Sequence, residues 1–168
     1  TNNEYMAKPQ KKLRIGWFTF SCCEDSTVMM TEILNDHWKE WVPLLDIRHA
    51  RVLQKNNVLD EMDVAFVEGA LASDEHIKKL KQIRKLATKL VAVGACACVG
   101  MPSAQRNTFD DHTNEEIEFL KARFHHLPKV LKLEDEITID ARLPGCPMNE
   151  KQFVDLVGAM LKEFKIIP

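Results

Sequence analysis

The chain contains no run approaching the roughly 18 consecutive apolar residues of a membrane-spanning helix, so no direct membrane insertion is expected. It has no surplus of one charge. The 23 Lys and Arg face 25 Asp and Glu for a formal charge of −2, and no broad basic surface argues for nucleic acid. No apolar stretch of the signal-peptide kind follows the polar opening segment 1–12, with its Pro9, Lys8, Lys11 and Lys12. That segment is read as a flexible tail, neither signal peptide nor anchor. Internal repeats and low-complexity segments are also missing. So is any C-x-x-C, although five cysteines are present: Cys22, Cys23, Cys96, Cys98 and Cys146. Its absence argues against a thioredoxin-like redox pair and puts structural zinc second, because zinc favours such closely spaced pairs. A vicinal Cys22–Cys23 disulfide would be strained. An odd cysteine count without a secretory signal argues against a disulfide framework and for metal binding or thiol chemistry in a reducing compartment, which here means the cytoplasm.

The chain has 168 residues, 45% of them hydrophobic, enough to bury a core but too few for two comfortable domains. One domain is expected over residues 13–168. Leu13–Phe18 reads as a first strand, left by a loop carrying Cys22 and Cys23. A helix follows, with Val28, Met29, Ile33, Leu34, Trp38 and Trp41 at helical spacing and Ser26 or Thr27 as candidate N-cap. Leu44–Val52 and Asp63–Glu68 read as strands, and Ser73–His76 opens a helix with a basic, solvated face. The β-branched run Leu90–Val93 reads as a buried strand that ends at Gly94 in a loop holding Cys96, Cys98 and Gly100. Residues 101–112 look irregular, a helix is expected from about Asn114 to Phe124, and His125 and His126 are read as its polar cap. Ile137–Leu143 alternates as a strand and runs into the turn Pro144-Gly-Cys-Pro147, and the last helix is expected from about Asn149 to Phe164.

Strands alternating with helices point to an α/β fold, a flavodoxin-like doubly wound parallel sheet, in which all strand-to-helix loops share one edge and ligands bind there. The cysteines occupy three such loops. Buried cysteine as a small hydrophobe is the default for any single one, but not for five confined to three strand ends. A thiolate-bound iron–sulphur cluster, usually with four sulphur ligands, fits this convergence. Gly94, Gly100 and Gly145 would leave room for it, and Pro147 would fix the chain leaving Cys146. Cys96 and Cys146 are the firmest ligands. Cys22 and Cys23 can share a cluster only if their loop turns, and Cys98 is the alternative fourth ligand. Glu24, Asp25 and Glu68 share the loop edge, as helix caps or as groups facing a partner, and Arg106 and Asn107 are candidates to hydrogen-bond cluster or partner. A flavin phosphate would want a Ser/Thr/Gly-rich first loop, where this chain has Phe20-Ser-Cys-Cys-Glu24.

Val93-Gly-Ala-Cys-Ala97, Met101-Pro-Ser-Ala-Gln-Arg-Asn107, Phe66-Val-Glu-Gly69 and Leu143-Pro-Gly-Cys-Pro147 together resemble the small subunit of [NiFe]-hydrogenases and its relative, the 20 kDa cluster-bearing subunit of respiratory complex I. The resemblance runs from Leu13 to the last helix. It implies one [4Fe-4S] cluster at the interface with a large catalytic subunit, held by Cys23, Cys96 and Cys146, with Cys22 as fourth ligand because the tandem pair is like that of complex I. The Pro-x-x-Arg-Asn segment is like that of cytosolic hydrogenases. No residue of this chain would be catalytic: any Ni-Fe centre would belong to the large subunit, and electrons would leave through further redox or diaphorase-type subunits. The expected location is cytoplasmic, with membrane association only through partners. A complex I-type quinone-oxidoreductase subunit is the alternative, and a zinc-stabilised interaction protein the alternative of another class.

Overall fold

The computed structural model describes residues 11–168. Their elements run β1 (Leu13–Thr19), α1 (Asp25–Asp36), α2 (Trp38–Trp41), β2 (Leu45–Ala50), β3 (Met62–Glu68), β4 (Leu71–Ser73), α3 (Asp74–Leu86), β5 (Ala87–Val93), α4 (Gly94–Val99), α5 (Asp111–Arg123), β6 (His126–Leu131), β7 (Ala141–Leu143) and α6 (Glu150–Glu163), with 3-10 turns at Ser103–Thr108 and Leu133–Asp135. Of the segment read as a tail, residues 1–10 lie outside the described residues.

The main sheet has the order β2-β1-β3-β5-β7, and every pairing in it is parallel. Counting only its own strands, this is the flavodoxin-like order, with the switch point between β1 and β3. Alternating residues of the strands feed two cores. Trp17, Val64, Phe66, Val91 and Val93 pack under α1 and α6 on one face; Phe18, Ala65, Val67, Leu90 and Ala92 pack under α3 on the other. Trp17 stacks on Phe66 at 5.6 Å between ring centroids, and Phe153 of α6 meets both edge-on.

Several expectations are corrected. The first helix begins at Asp25, with left-handed Glu24 (φ 64°) at its N-cap, so Ser26 and Thr27 lie in the first turn. The loop expected after β5 is the helical turn α4, closed by Gly100 at φ 85°. Gly100 therefore terminates a helix, where a residue tolerant of positive φ is needed, and it is not among the residues that line the cysteine cleft. The irregular stretch contains a 3-10 turn, and α5 starts earlier than expected because the Asp110 carboxylate accepts the Thr113 amide at 2.8 Å. His125 is left-handed and His126 opens β6, which pairs antiparallel with β4, so neither acts as a simple cap. Pro128 hid that strand, since proline demotes a strand pattern. In the Ile137–Leu143 run only the last three residues form a strand. Ile137 and Ile139 alternate because they pack on the α3-side core, while the Asp140 carboxylate accepts the Leu90 amide at 2.7 Å.

Candidate metal centre

The carboxyl edge of the sheet brings the three cysteine-bearing loops together. After β1 the chain bridges antiparallel to Ala70, with Ser21 and Ala70 exchanging amide-to-carbonyl bonds of 3.0 and 2.9 Å, and it reverses at Glu24. The loop thus bends at Cys22 and reverses at Glu24, just past Cys23. Cys22 is half-buried and Cys23 exposed. Cys96 is buried in α4, where it packs with Ala70, Ala72, Val130 and Cys22. Cys146 is exposed on the loop from β7 to α6, which is tied to α4 by the Ala95 amide donating to Gly145 O at 2.7 Å.

Cys22, Cys23, Cys96 and Cys146 line one cleft together with Asp25, Ser26, Glu68, Gly94, Gly145 and Pro147. Cys98 is elsewhere. It is buried in the α3-side core, and its thiol donates to Ala92 O at 3.5 Å. Cys96 and Cys98 both lie in α4, where helical geometry sends positions two apart to different sides.

The backbone at the cleft is built for close approach. Gly145 has φ 124°, and a Cβ there would stand 2.3 Å from Pro147 O. A Cβ on Gly94 (φ 78°) would meet Ser26 Oγ at 3.1 Å. Ser26 Oγ also accepts the Met148 amide at 3.2 Å, so one hydroxyl joins the start of α1 to the Cys146 loop. Sequence reasoning passed over this role, and also over Ser103, whose hydroxyl bonds Ser21 O at 2.8 Å and lies 3.2 Å from Cys96 Sγ. Small polar residues in turns carry no distinctive spacing. Arg106 and Asn107 do not reach the cleft. The Arg106 guanidinium donates to Leu127 O and Pro128 O at 2.7 and 2.9 Å, and Asn107 exchanges two 2.8 Å bonds with the Val130 backbone, so both hold β6 in place.

Electrostatics at the cleft are one-sided. Burial, with Glu68 and the neighbouring sulphurs adding to it, pushes the Cys22 thiol up to about 12. Burial also raises Cys146, helped by Cys23, Cys96 and Asp25. No Lys, Arg or His lines the cleft among the described residues. The ligand atoms of Cys23, Asp25 and Cys146 lie within 4.8 Å of one another. Thiols crowded with carboxylates and without a cation can all ionise only around a positive centre, and metal binding then releases their protons.

Fold and cleft define a flavodoxin-like domain with a cysteine-lined crevice at the carboxyl ends of β1, β3, β5 and β7. The chain belongs to the NADH ubiquinone oxidoreductase 20 kDa subunit family, whose sequence model matches residues 22–160. Its relatives include the gamma subunit of coenzyme F420 hydrogenase from Methanosarcina barkeri, 29% identical over 81% of this chain and 49% of the relative. Another is the delta subunit of the NAD-reducing hydrogenase HoxS from Cupriavidus necator, 32% identical over 50% of this chain and 48% of the relative. This chain spans about half the length of the curated relatives it matches. In three dimensions it is similar to a chain of an NAD+-reducing [NiFe]-hydrogenase, with a TM-score of 0.73 and 25% identity over 90% of this chain and 93% of that one. No helix among the described residues is long and apolar enough to cross a membrane.

Proposed function

We propose that the chain is the electron-transfer small subunit of a [NiFe]-hydrogenase-like oxidoreductase and holds one [4Fe-4S] cluster beside the active site of a large catalytic subunit. The observation that carries this is the convergence of four sulphurs from three loops in a cleft free of basic side chains. Cys22, Cys23, Cys96 and Cys146 would hold the cluster, which would take up and pass on one electron at a time. Gly94 and Gly145 keep side chains out of the cleft, and Ser103 is placed to hydrogen-bond the Cys96 sulphur, a contact of the kind that tunes potential. Any Ni-Fe centre, and the choice of electron acceptor among further redox or diaphorase-type subunits, belongs to other chains. A complex I-type quinone-oxidoreductase role uses the same four sulphurs.

One observation favours a second occupant: Cys23, Asp25 and Cys146 form a three-ligand set that would also suit zinc. Metal and sulphide analysis of anaerobically purified protein decides between them. About four iron and four sulphide per chain are expected. Zinc without sulphide would overturn the cluster.

A further inference from the structure

The four sulphurs of the cleft differ in access. Cys23 and Cys146 are exposed, whereas Cys96 is buried and Cys22 is half-buried against it. Cys23 Sγ and Cys146 Sγ also lie within 4.8 Å of each other. They come from loops near opposite ends of the chain, and protein contacts alone hold those loops together. The Met148 amide donates to Ser26 Oγ at 3.2 Å, the Ala95 amide donates to Gly145 O at 2.7 Å, and Gly145 and Met148, on either side of Cys146, form an antiparallel bridge. Glu68 accepts the Ser26 and Thr27 amides at 3.0 and 3.1 Å, which fixes the start of α1 just past Cys23. None of these contacts requires a metal, so the two thiols stay neighbours in a metal-free chain.

We propose that Cys23 and Cys146 are a modification site: in the metal-free chain they join in a reversible disulfide, which takes two of the four sulphurs out of the ligand set until it is reduced. The proposal rests on the reading of the cleft as a metal site. The oxidant is a low-molecular-weight disulfide. Cys23 attacks one of its sulphurs, giving a mixed disulfide and releasing one small thiol. Cys146 then attacks the Cys23 sulphur, the bond from that sulphur to the small group breaks, and the second small thiol leaves. The two protein thiols are oxidised, the reagent is reduced to two thiols, and the protons pass from the first to the second. Such exchange depends on access to the sulphurs, which leaves out Cys22 and Cys96 in the cleft and Cys98 in the α3-side core. Pairing of Cys22 with Cys23 would make a strained vicinal bond. The Cys23–Cys146 product is neutral, which suits a cleft lined by Asp25 and Glu68 without a cation among the described residues. Its exposure keeps it within reach of cellular dithiols.

Thiol counting and peptide mapping test this on the full chain, stripped of metal by a chelator and treated with oxidised glutathione. In buffer, two of the five thiols are expected to disappear into one cross-link. It should persist in Cys22→Ser and Cys98→Ser and be absent from Cys23→Ser and Cys146→Ser. In urea the same treatment should scatter the pairing over all the cysteines, Cys98 included. Zinc ion offered to the oxidised chain is expected to bind at least about tenfold more weakly than after reduction with a phosphine, because two thiolates are missing. Five thiols left free, a different dominant pair, the same product mixture in buffer as in urea, or equal zinc affinity before and after reduction would each overturn the proposal. Metal and sulphide are counted before stripping. Zinc without sulphide there removes the proposed cluster, while a Cys23–Cys146 cross-link in the stripped chain still upholds the modification site. A cluster-bearing chain that forms no such cross-link once stripped refutes the disulfide alone.

Discussion

Glu68, the last residue of β3, caps α1 through Thr27. Its Oε2 accepts the Thr27 hydroxyl at 2.5 Å and the Thr27 amide at 3.1 Å, while Oε1 accepts the Ser26 amide at 3.0 Å. Glu24, at the N-cap, offers no side-chain bond, so the helix start is satisfied by a carboxylate from the neighbouring strand. Trp17 Nε1 donates to the same Thr27 hydroxyl at 2.8 Å, which ties the cap to the core. Burial pushes the Glu68 carboxyl up, and the bonds from Thr27 and Ser26 oppose it.

Glu68→Ala is therefore expected to lower stability by about 3 kcal/mol, since it leaves several buried donors unpaired. Glu68→Gln should cost about 2 kcal/mol, because its amide opposes at least one N–H. Urea unfolding measures both, and a loss below about 0.5 kcal/mol for Ala would contradict the cap.

Gly145→Ala and Gly158→Ala should move stability in opposite directions. The first forces a Cβ to 2.3 Å from Pro147 O at φ 124° and is expected to cost about 2 kcal/mol and loosen metal retention at Cys146. The second, inside α6 with nothing within 4 Å, should add about 0.5–1 kcal/mol. Thermal melts and metal content check the pair, and equal effects would refute the distinction.

Acid should destabilise the protein through His49 and His76. Burial lowers both, and His76 is lowered further by His126. His76 Nδ1 accepts the Ala72 amide at 3.2 Å and so must be unprotonated. A base lowered on folding binds its proton more readily when unfolded. Its contribution is thus complete above the unfolded value of about 6.5 and is lost as pH falls below it, by at most about 1.4 kcal/mol per unit per ring. Urea midpoints at several pH values should show this slope, and His49→Gln with His76→Gln should flatten it; an unchanged slope would contradict the assignment.

The sheet was legible because β-branched runs such as Val64–Val67 and Leu90–Val93 end at glycine or at loops bearing cysteine. The convergence of Cys22, Cys23, Cys96 and Cys146 was legible for the same reason: parallel topology alone carries strand-end loops to one edge. What escaped was tertiary. Glu68 as the cap of α1 depends on a strand neighbour 41 residues away, and β6 is masked by Pro128 and supported by Arg106 and Asn107 from a distant turn. The helix-free connection 51–61 carries no periodic signal in the sequence, and its hold on the free edge of β2 through Asn57 and Val58 required the packing to be seen.

Iron and sulphide content in Cys22→Ser beside Cys98→Ser tests the four-sulphur site most directly. Cys22 lines the cleft and Cys98 is buried in the α3-side core, bonded to Ala92 O. Cys98→Ser should retain the full cluster content, while Cys22→Ser should lose most of it, as should Cys96→Ser and Cys146→Ser. A cluster that survives the change at Cys22 and vanishes with the change at Cys98 would contradict the site as built here.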